Sequence, residues 1–225
     1  MENKSKSKKG CLLVFLVFSV IIIIISLFSN NEDSNDPISQ TNLQEDKQEV
    51  VDSALIKLQD SLRAETKKKI DSEITKFTTN YDDIEGVTWI YSKSKPYYAN
   101  TKAFYNYIGM RDNGQVWKRL VIRYHGDDWL FINKIIIKTD EQTYTLDASN
   151  SKRDNNTEVW EWIDIEEGTA EFIIINDIIN SKQTKVRFVG DQYHFDWILP
   201  KKTVTGLKEI EDFYYLLNSY YVSGK

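Results

Sequence analysis

Eighteen consecutive residues, Cys11–Phe28, are apolar except for Ser19 and Ser26, and no other feature restricts this chain as much. At 1.5 Å per residue such a segment spans about 27 Å as a helix, close to the hydrocarbon thickness of a bilayer. A helix is the only single segment that satisfies its own backbone in lipid. Lys4, Lys6, Lys8 and Lys9 precede it against a single Glu2, and basic flanks of this kind stay in the cytoplasm. The reading is a cytoplasmic basic tail at 1–10, a transmembrane helix at 11–28 with the lipid bilayer as its partner, and everything after it exported. The charge divides accordingly: the tail carries +3, so the formal net charge of −5 leaves −8 to the other 215 residues. Leu27-Phe28-Ser29 lacks the small residues of a signal-peptidase site. Cys11 stands before the apolar run rather than after it, which argues against lipid attachment there.

Ser29 to Gln48 is rich in Ser, Asn, Asp, Gln and Glu, with Ile38 and Leu43 as its only aliphatics. It reads as a flexible linker, because it buries too little to offset chain entropy. From 49 to 80, Val51, Leu55, Leu58 and Leu62 recur at helical spacing, and Ile70, Ile74 and Phe77 resume that face. This predicts an amphipathic stalk helix. Glu65 and Lys69 interrupt the heptad, so a helix packed on the following domain is favoured over a dimerising coil.

All six Trp and all 13 Tyr lie in 81–225, among short β-type runs separated by turn signals. Val87–Tyr91, Ala103–Ile108, Val116–Tyr124, Trp129–Lys138, Thr143–Leu146, Val159–Ile163, Lys185–Val189 and Tyr193–Leu199 read as strands. Asp112-Asn113-Gly114 and Gly190-Asp191 read as tight turns, and Asp147 to Thr157 as a polar loop. Thr169 to Asn180 reads as a short helix with Thr169 as its cap. Leu207, Ile210, Phe213 and Leu217 predict a C-terminal amphipathic helix, with Thr205 as a possible cap. Hairpins without βαβ alternation predict a mainly β exported domain at 81–225, an antiparallel sandwich or an α+β fold.

The chemistry is mostly negative. No G-x-G-x-x-G, G-x-x-x-x-G-K-S/T, H-E-x-x-H, G-x-S-x-G or C-x-x-C occurs. One Cys and two His supply neither a disulfide frame nor a zinc site, and no cofactor is called for. The acidic balance excludes nucleic acid as the main partner. Arg119 and Arg123 share a strand face with Trp117, and His125, Asp127 and Asp128 follow at the strand end. Such guanidinium forks beside an indole could hold an anionic or sugar-like ligand, or simply pair with acids on a neighbouring strand. If Gly190-Asp191 is the tight turn, Arg187 and Asp196 could approach each other across the second hairpin. Glu158, Glu161, Asp164 and Glu166 are hydrolase candidates by composition alone. His194 reads as an edge residue. Surplus aromatics, among them Tyr97, Tyr98, Tyr105, Tyr107, Trp160 and Trp162, with Tyr214, Tyr215, Tyr220 and Tyr221 in the last helix, could form a contact patch.

Trp89-Ile90-Tyr91, Tyr124-His125-Gly126 to Ile132, and Val186 to Tyr193 resemble the pattern W-x-Y, Y-x-G-D-D-W-L-F-I, V-R-F-x-G-D-Q-Y. A group of bacterial exported proteins, held by a signal anchor or a lipid, shares this pattern and has no assigned activity. The resemblance covers about 140 residues. It implies location and a β-rich fold, and nothing about mechanism. The expectation is therefore a membrane-anchored, extracytoplasmic, noncatalytic binding domain for a protein or envelope polymer. The alternatives are a carboxylate-dependent envelope hydrolase working near Glu161 and Asp164, and a sensor or assembly subunit that dimerises through the stalk.

Overall fold

Alternating apolar residues put one face of each strand into a core, and most of the chain after residue 80 alternates in this way. The computed structural model describes residues 37–222, and the chain divides into two compact units, 1–57 and 58–225. Helix α1 (Pro37–Glu73) is followed by a 3-10 turn (Ile74–Lys76). Then come β1 (Thr78–Asp82), β2 (Val87–Tyr91), β3 (Ala103–Arg111), β4 (Val116–Gly126), β5 (Lys134–Lys138) and β6 (Thr143–Asp147). The remainder is β7 (Lys152–Asn155), β8 (Val159–Glu166), α2 (Thr169–Asn180), β9 (Lys185–Val189), β10 (His194–Ile198) and α3 (Lys201–Val222).

The strands form two antiparallel sheets, one ordered β1-β2-β3-β4-β8-β7 and the other β10-β9-β5-β6. The register aligns Asn106 with Leu120, Leu120 with Ile165, and Ile122 with Ile163, so these residues share the inner face of the six-stranded sheet. Leu120 and Ile122 are wholly buried there with Phe104 and Ile163. They meet Ile135, Ile137, Val186 and Phe188 of the second sheet and Ile174, Ile175 and Ile178 of α2. A second cluster joins Ile70 of α1, Ile90 and Ile108 of the sheet, and Ile210, Phe213 and Leu217 of α3. Phe77 stacks on Phe213 with ring centroids 4.6 Å apart. The fold is β-rich, with two antiparallel sheets and three helices among the described residues.

Several boundaries differ from expectation. The transmembrane helix expected at 11–28 lies outside the described residues; among those described, no helix is long and apolar enough to cross a membrane. The helix begins at Pro37, inside the stretch read as a flexible linker at 29–48. Proline suits a first helical turn, where its missing N–H is not needed, and no Gly interrupts the Gln-, Glu- and Lys-rich residues after it. The helix also ends at Glu73 rather than reaching 80, because the β-branched Thr78 and Thr79 pair with Tyr91 and Ile90. The polar loop at 147–157 contains the exposed strand β7. Trp129–Lys138 is not one strand: only Lys134–Lys138 pairs, because the amides of Leu130, Phe131 and Ile132 donate to the Glu161 side chain. Neither threonine caps its helix. Helix α2 starts after Gly168, whose N–H donates to Glu171 Oε2 at 3.0 Å. Thr205 lies inside α3, donating to the Lys201 carbonyl at 3.1 Å.

One inner-face position of β4 is charged. Lys118 is 6 % exposed, and its Nζ donates to Glu211 of α3 at 2.6 and 2.7 Å and also to Glu167. The ammonium lies 4.8 Å from the Tyr214 ring centroid. Asn106 Nδ2 donates to Glu211 Oε1 at 2.7 Å. Two carboxylates thus share one buried cation, and burial first, then the Glu211 charge, pushes the Glu167 carboxyl up to about 7. Glu167 Oε2 and Asn106 Oδ1 have no hydrogen-bond partner, and a proton on Glu167 supplies a donor where the carboxylate has none.

The folded chain therefore holds a proton on Glu167 that the unfolded chain releases near its ordinary value of 4.5. Stability should fall as pH rises from about 4.5 to about 7, by up to about 1.4 kcal/mol per pH unit, and level off above. Thermal melts of wild type and Glu167→Gln between pH 5 and 8 check this; the amide variant should lose most of that slope. Lys118→Met, which leaves both carboxylates buried without a cation, should cost about 3–5 kcal/mol.

Candidate functional site

Strand β8 sends alternate side chains to opposite faces, so Glu161 points inward with Val159 and Ile163. A carboxylate with no solvent exposure must find donors. Glu161 finds them in three consecutive backbone amides: Leu130 N at 2.7 Å, Phe131 N at 2.9 Å and Ile132 N at 2.8 Å. Arg153 of β7 adds Nε at 3.1 Å. Amides directed at a carboxylate cannot also enter a ladder, which is why the apolar run from Trp129 becomes a loop before β5. The turn leaves Phe131 at φ 56°, the only non-glycine positive φ among the described residues. A bulky side chain seldom adopts that conformation.

The second hairpin meets this loop. Asn133 N donates to Val189 O at 3.0 Å, Asp191 N donates to Leu130 O at 3.3 Å, and Asn133 Nδ2 donates to Asp191 Oδ1 at 3.0 Å. The chains approach so closely that a Cβ on Gly190 would lie 1.8 Å from the Leu130 carbonyl oxygen. Together the loops border an open cleft of about 830 Å³, lined by Tyr124, Asp128, Trp129, Leu130, Phe131, Asp191, Gln192 and Tyr193. The rings of Trp129 and Phe131 are inclined by only 27° at 6.2 Å. Phe131 is 49 % exposed and Tyr193 70 %. Tyr124 Oη donates to the Asp128 carbonyl at 3.1 Å, and burial raises the pKa of that hydroxyl. Aromatic faces beside carboxylate and amide groups suit a ligand that has apolar ring faces and hydroxyl donors.

The eight residues singled out from the sequence occupy three places. Trp117, Arg119, Arg123 and His125 lie on the outer face of the six-stranded sheet. Trp117 packs edge-on to Trp89 at 5.5 Å. Arg119 Nε donates to Asp164 Oδ1 at 2.8 Å and to Tyr107 Oη at 3.1 Å, and burial, followed by Asp164, raises the Tyr107 pKa. Arg123 donates to the carbonyls of Thr101 and Tyr98 at 2.9 and 3.1 Å. His125 Nε2 lies 3.0 Å from Glu158 Oε2. Asp127 is exposed in the turn after β4, and Asp128 reaches the cleft. Arg187 and Asp196 pair two-pronged at 2.6 and 2.8 Å on the second sheet, as the hairpin register implies. Glu161 and Asp164 stand on opposite faces of β8, so the proposed hydrolase pair does not converge.

Trp129, Phe131 and Tyr193 were not legible as one site, since about 60 residues separate them. The available signal was that two of the three pattern stretches, 124–132 and 186–193, each carry a turn beside an aromatic. Those are the stretches that meet here. No group of three or more metal-ligating side chains occurs among the described residues.

Glu161→Gln replaces an acceptor oxygen with a donor facing backbone N–H groups and should cost about 3 kcal/mol. Gly190→Ala should cost about 1–3 kcal/mol through the clash with Leu130. Phe131→Gly relieves the strained φ and should leave the melting temperature unchanged or higher while removing half of the ring pair. Chemical denaturation of the three variants checks the order. No family model, curated protein or solved structure matches the chain, so what this site does has to follow from its own geometry.

Proposed function

We propose that the protein is a single-pass membrane protein, cytoplasmic at its N-terminus, that displays a noncatalytic binding domain outside the cell. Its ligand is a sugar-bearing polymer of the envelope, seated in the cleft between the 127–133 and 190–193 loops. The apolar run at 11–28 behind four lysines supports the placement. The observation that carries the binding assignment is Phe131: a buried carboxylate holds it in an unfavourable backbone conformation with half of its surface in water. Strain of this kind persists where surroundings enforce it and clusters at ligand sites. The inclined ring pair offers apolar contact to the faces of sugar rings, and Asp128 and Asp191 accept from their hydroxyls.

The test is co-sedimentation of the detergent-solubilised full chain with insoluble envelope polymer. Wild type should pellet, and Trp129→Ala and Phe131→Gly should reduce the bound fraction at least tenfold. Undiminished binding by both variants would remove the cleft from the account. Release of soluble sugar fragments by wild type would show turnover instead. Protease protection in intact cells should leave 81–225 accessible from outside.

A second reading has its own support. Leu55, Leu58 and Leu62 are each more than half exposed along α1, at helical spacing. An assembly subunit that pairs through this face would present them in this way. Sedimentation equilibrium of the solubilised chain should then show a dimer, and Leu58→Asn with Leu62→Asn should return it to a monomer.

A further inference from the structure

Several cations seated against the folded surface are matched by carboxylates: Lys118 by Glu167 and Glu211, Arg119 by Asp164, Arg153 by Glu161, Arg187 by Asp196. Lys95 and Arg123 are not, and unlike Lys102, which lies alone over the Phe195 ring, they stand near each other. Lys95 follows β2, and its ammonium lies 4.7 Å from the ring centroid of Tyr91 and 5.6 Å from that of Tyr105. Arg123 stands next to Tyr105 on the outer sheet face, since Ala103 is its direct cross-strand partner. It spends Nε and Nη2 on two loop carbonyls, which leaves Nη1 over. Neither cation has a carboxylate within 4.0 Å among the described residues. The nearby Asp164 is occupied by Arg119 and by Tyr107 Oη at 2.9 Å.

Two half-buried like charges without an acid are unfavourable, because each loses water and each repels the other. The Lys95 pKa shows both effects: burial lowers it first, and the Arg123 charge lowers it further. Tyr105, pushed up to about 12 by burial, keeps its proton at neutral pH and remains a donor. The geometry points to a binding site for an oxyanion of the phosphate class, held by the Lys95 ammonium, Arg123 Nη1 and the Tyr105 hydroxyl. A doubly charged phosphate monoester balances both cations, and guanidinium and ammonium groups are its usual donors. The exposed Tyr97, at 90 %, and Tyr98, at 66 %, lie in the loop that Arg123 anchors and offer ring faces to whatever carries the phosphate. This site is separate from the aromatic cleft and does not depend on it.

The test uses the full chain in uncharged detergent, titrated by calorimetry with inorganic phosphate and, separately, with a soluble short-chain phosphatidic acid, whose headgroup is a phosphate monoester. Saturable binding is expected. Lys95→Gln should weaken it at least tenfold and Lys95→Arg should retain it; Lys95 is partly exposed, so both variants should fold. In a carbon-13 NMR titration the Lys95 pKa should rise when phosphate is bound. Tighter binding of the lipid than of inorganic phosphate assigns the group to a headgroup, and the reverse order assigns it to a soluble phosphate. Phosphate binding no better than chloride at equal ionic strength, or equal binding by Lys95→Gln, overturns the proposal.

Discussion

The Glu161 carboxylate takes over the backbone bonding of a whole segment. By its apolar pattern alone, the run through Leu130, Phe131 and Ile132 would continue into β5 as one long strand. With the carboxylate, three amides turn inward, the chain bends and Phe131 is forced outward. A fully buried carboxylate satisfied by one Arg and three amides is more than neutralised, because amide dipoles oriented together act as a partial positive charge. The bend is thereby fixed from beneath by the rigid sheet. The loop tip alone does not hold it, and a site on such a loop needs little reorganisation when a ligand arrives.

Lys118 performs the matching task at the other end of the same stripe. Along β4 the inward residues run Lys118, Leu120, Ile122, Tyr124, and the register sets Glu161 opposite Tyr124. Two apolar residues with no exposure are therefore bracketed by two ionic clusters. One ties α3 to the sheet through Glu211, and the other ties the 127–133 loop to it. Apolar burial drives the collapse, while the clusters specify which helix and which loop cover which end. Removing one partner from either cluster costs more than an exposed pair would, because the remaining charge cannot reach water.

Period-two alternation made much of the fold legible. The strands β2, β3, β4, β8 and β9 and the helix α2 follow from spacing and turn residues, whereas Arg187 meets Asp196 because the β9–β10 loop spans four residues, 190–193, and not the tight turn read at Gly190-Asp191. Failures fell where a distant partner overrides local preference. Nothing within Trp129–Lys138 indicates that a glutamate some 30 residues later will claim its amides. Nothing in Thr78-Thr79-Asn80 announces a strand until β2 is there to pair with it. Gly206 inside α3 looks like a weakness in sequence. In the structure a Cβ there would lie 1.8 Å from Ser94 Oγ, so glycine leaves room for that hydroxyl in the loop after β2. The candidate site was only partly legible for the same reason: Asp128 stands in one stretch and Tyr193 in another, and only tertiary contact joins them.

The two faces of the six-stranded sheet differ in how completely they are neutralised. Inside, Lys118 and Glu161 are each opposed, and burial with the Glu211 charge pushes the Glu167 carboxyl up to about 7. Outside, Arg119 is matched by Asp164, His125 lies within hydrogen-bond distance of Glu158, and tyrosine and tryptophan rings fill the spaces between them. Rings cannot neutralise a cation; they only replace part of its water with a weaker quadrupole attraction. A surface that places Lys95 on two such rings beside an arginine therefore sits above its electrostatic minimum while unliganded. An anion that brings the missing charge binds with the advantage of that prior cost, so the imbalance is itself a source of affinity.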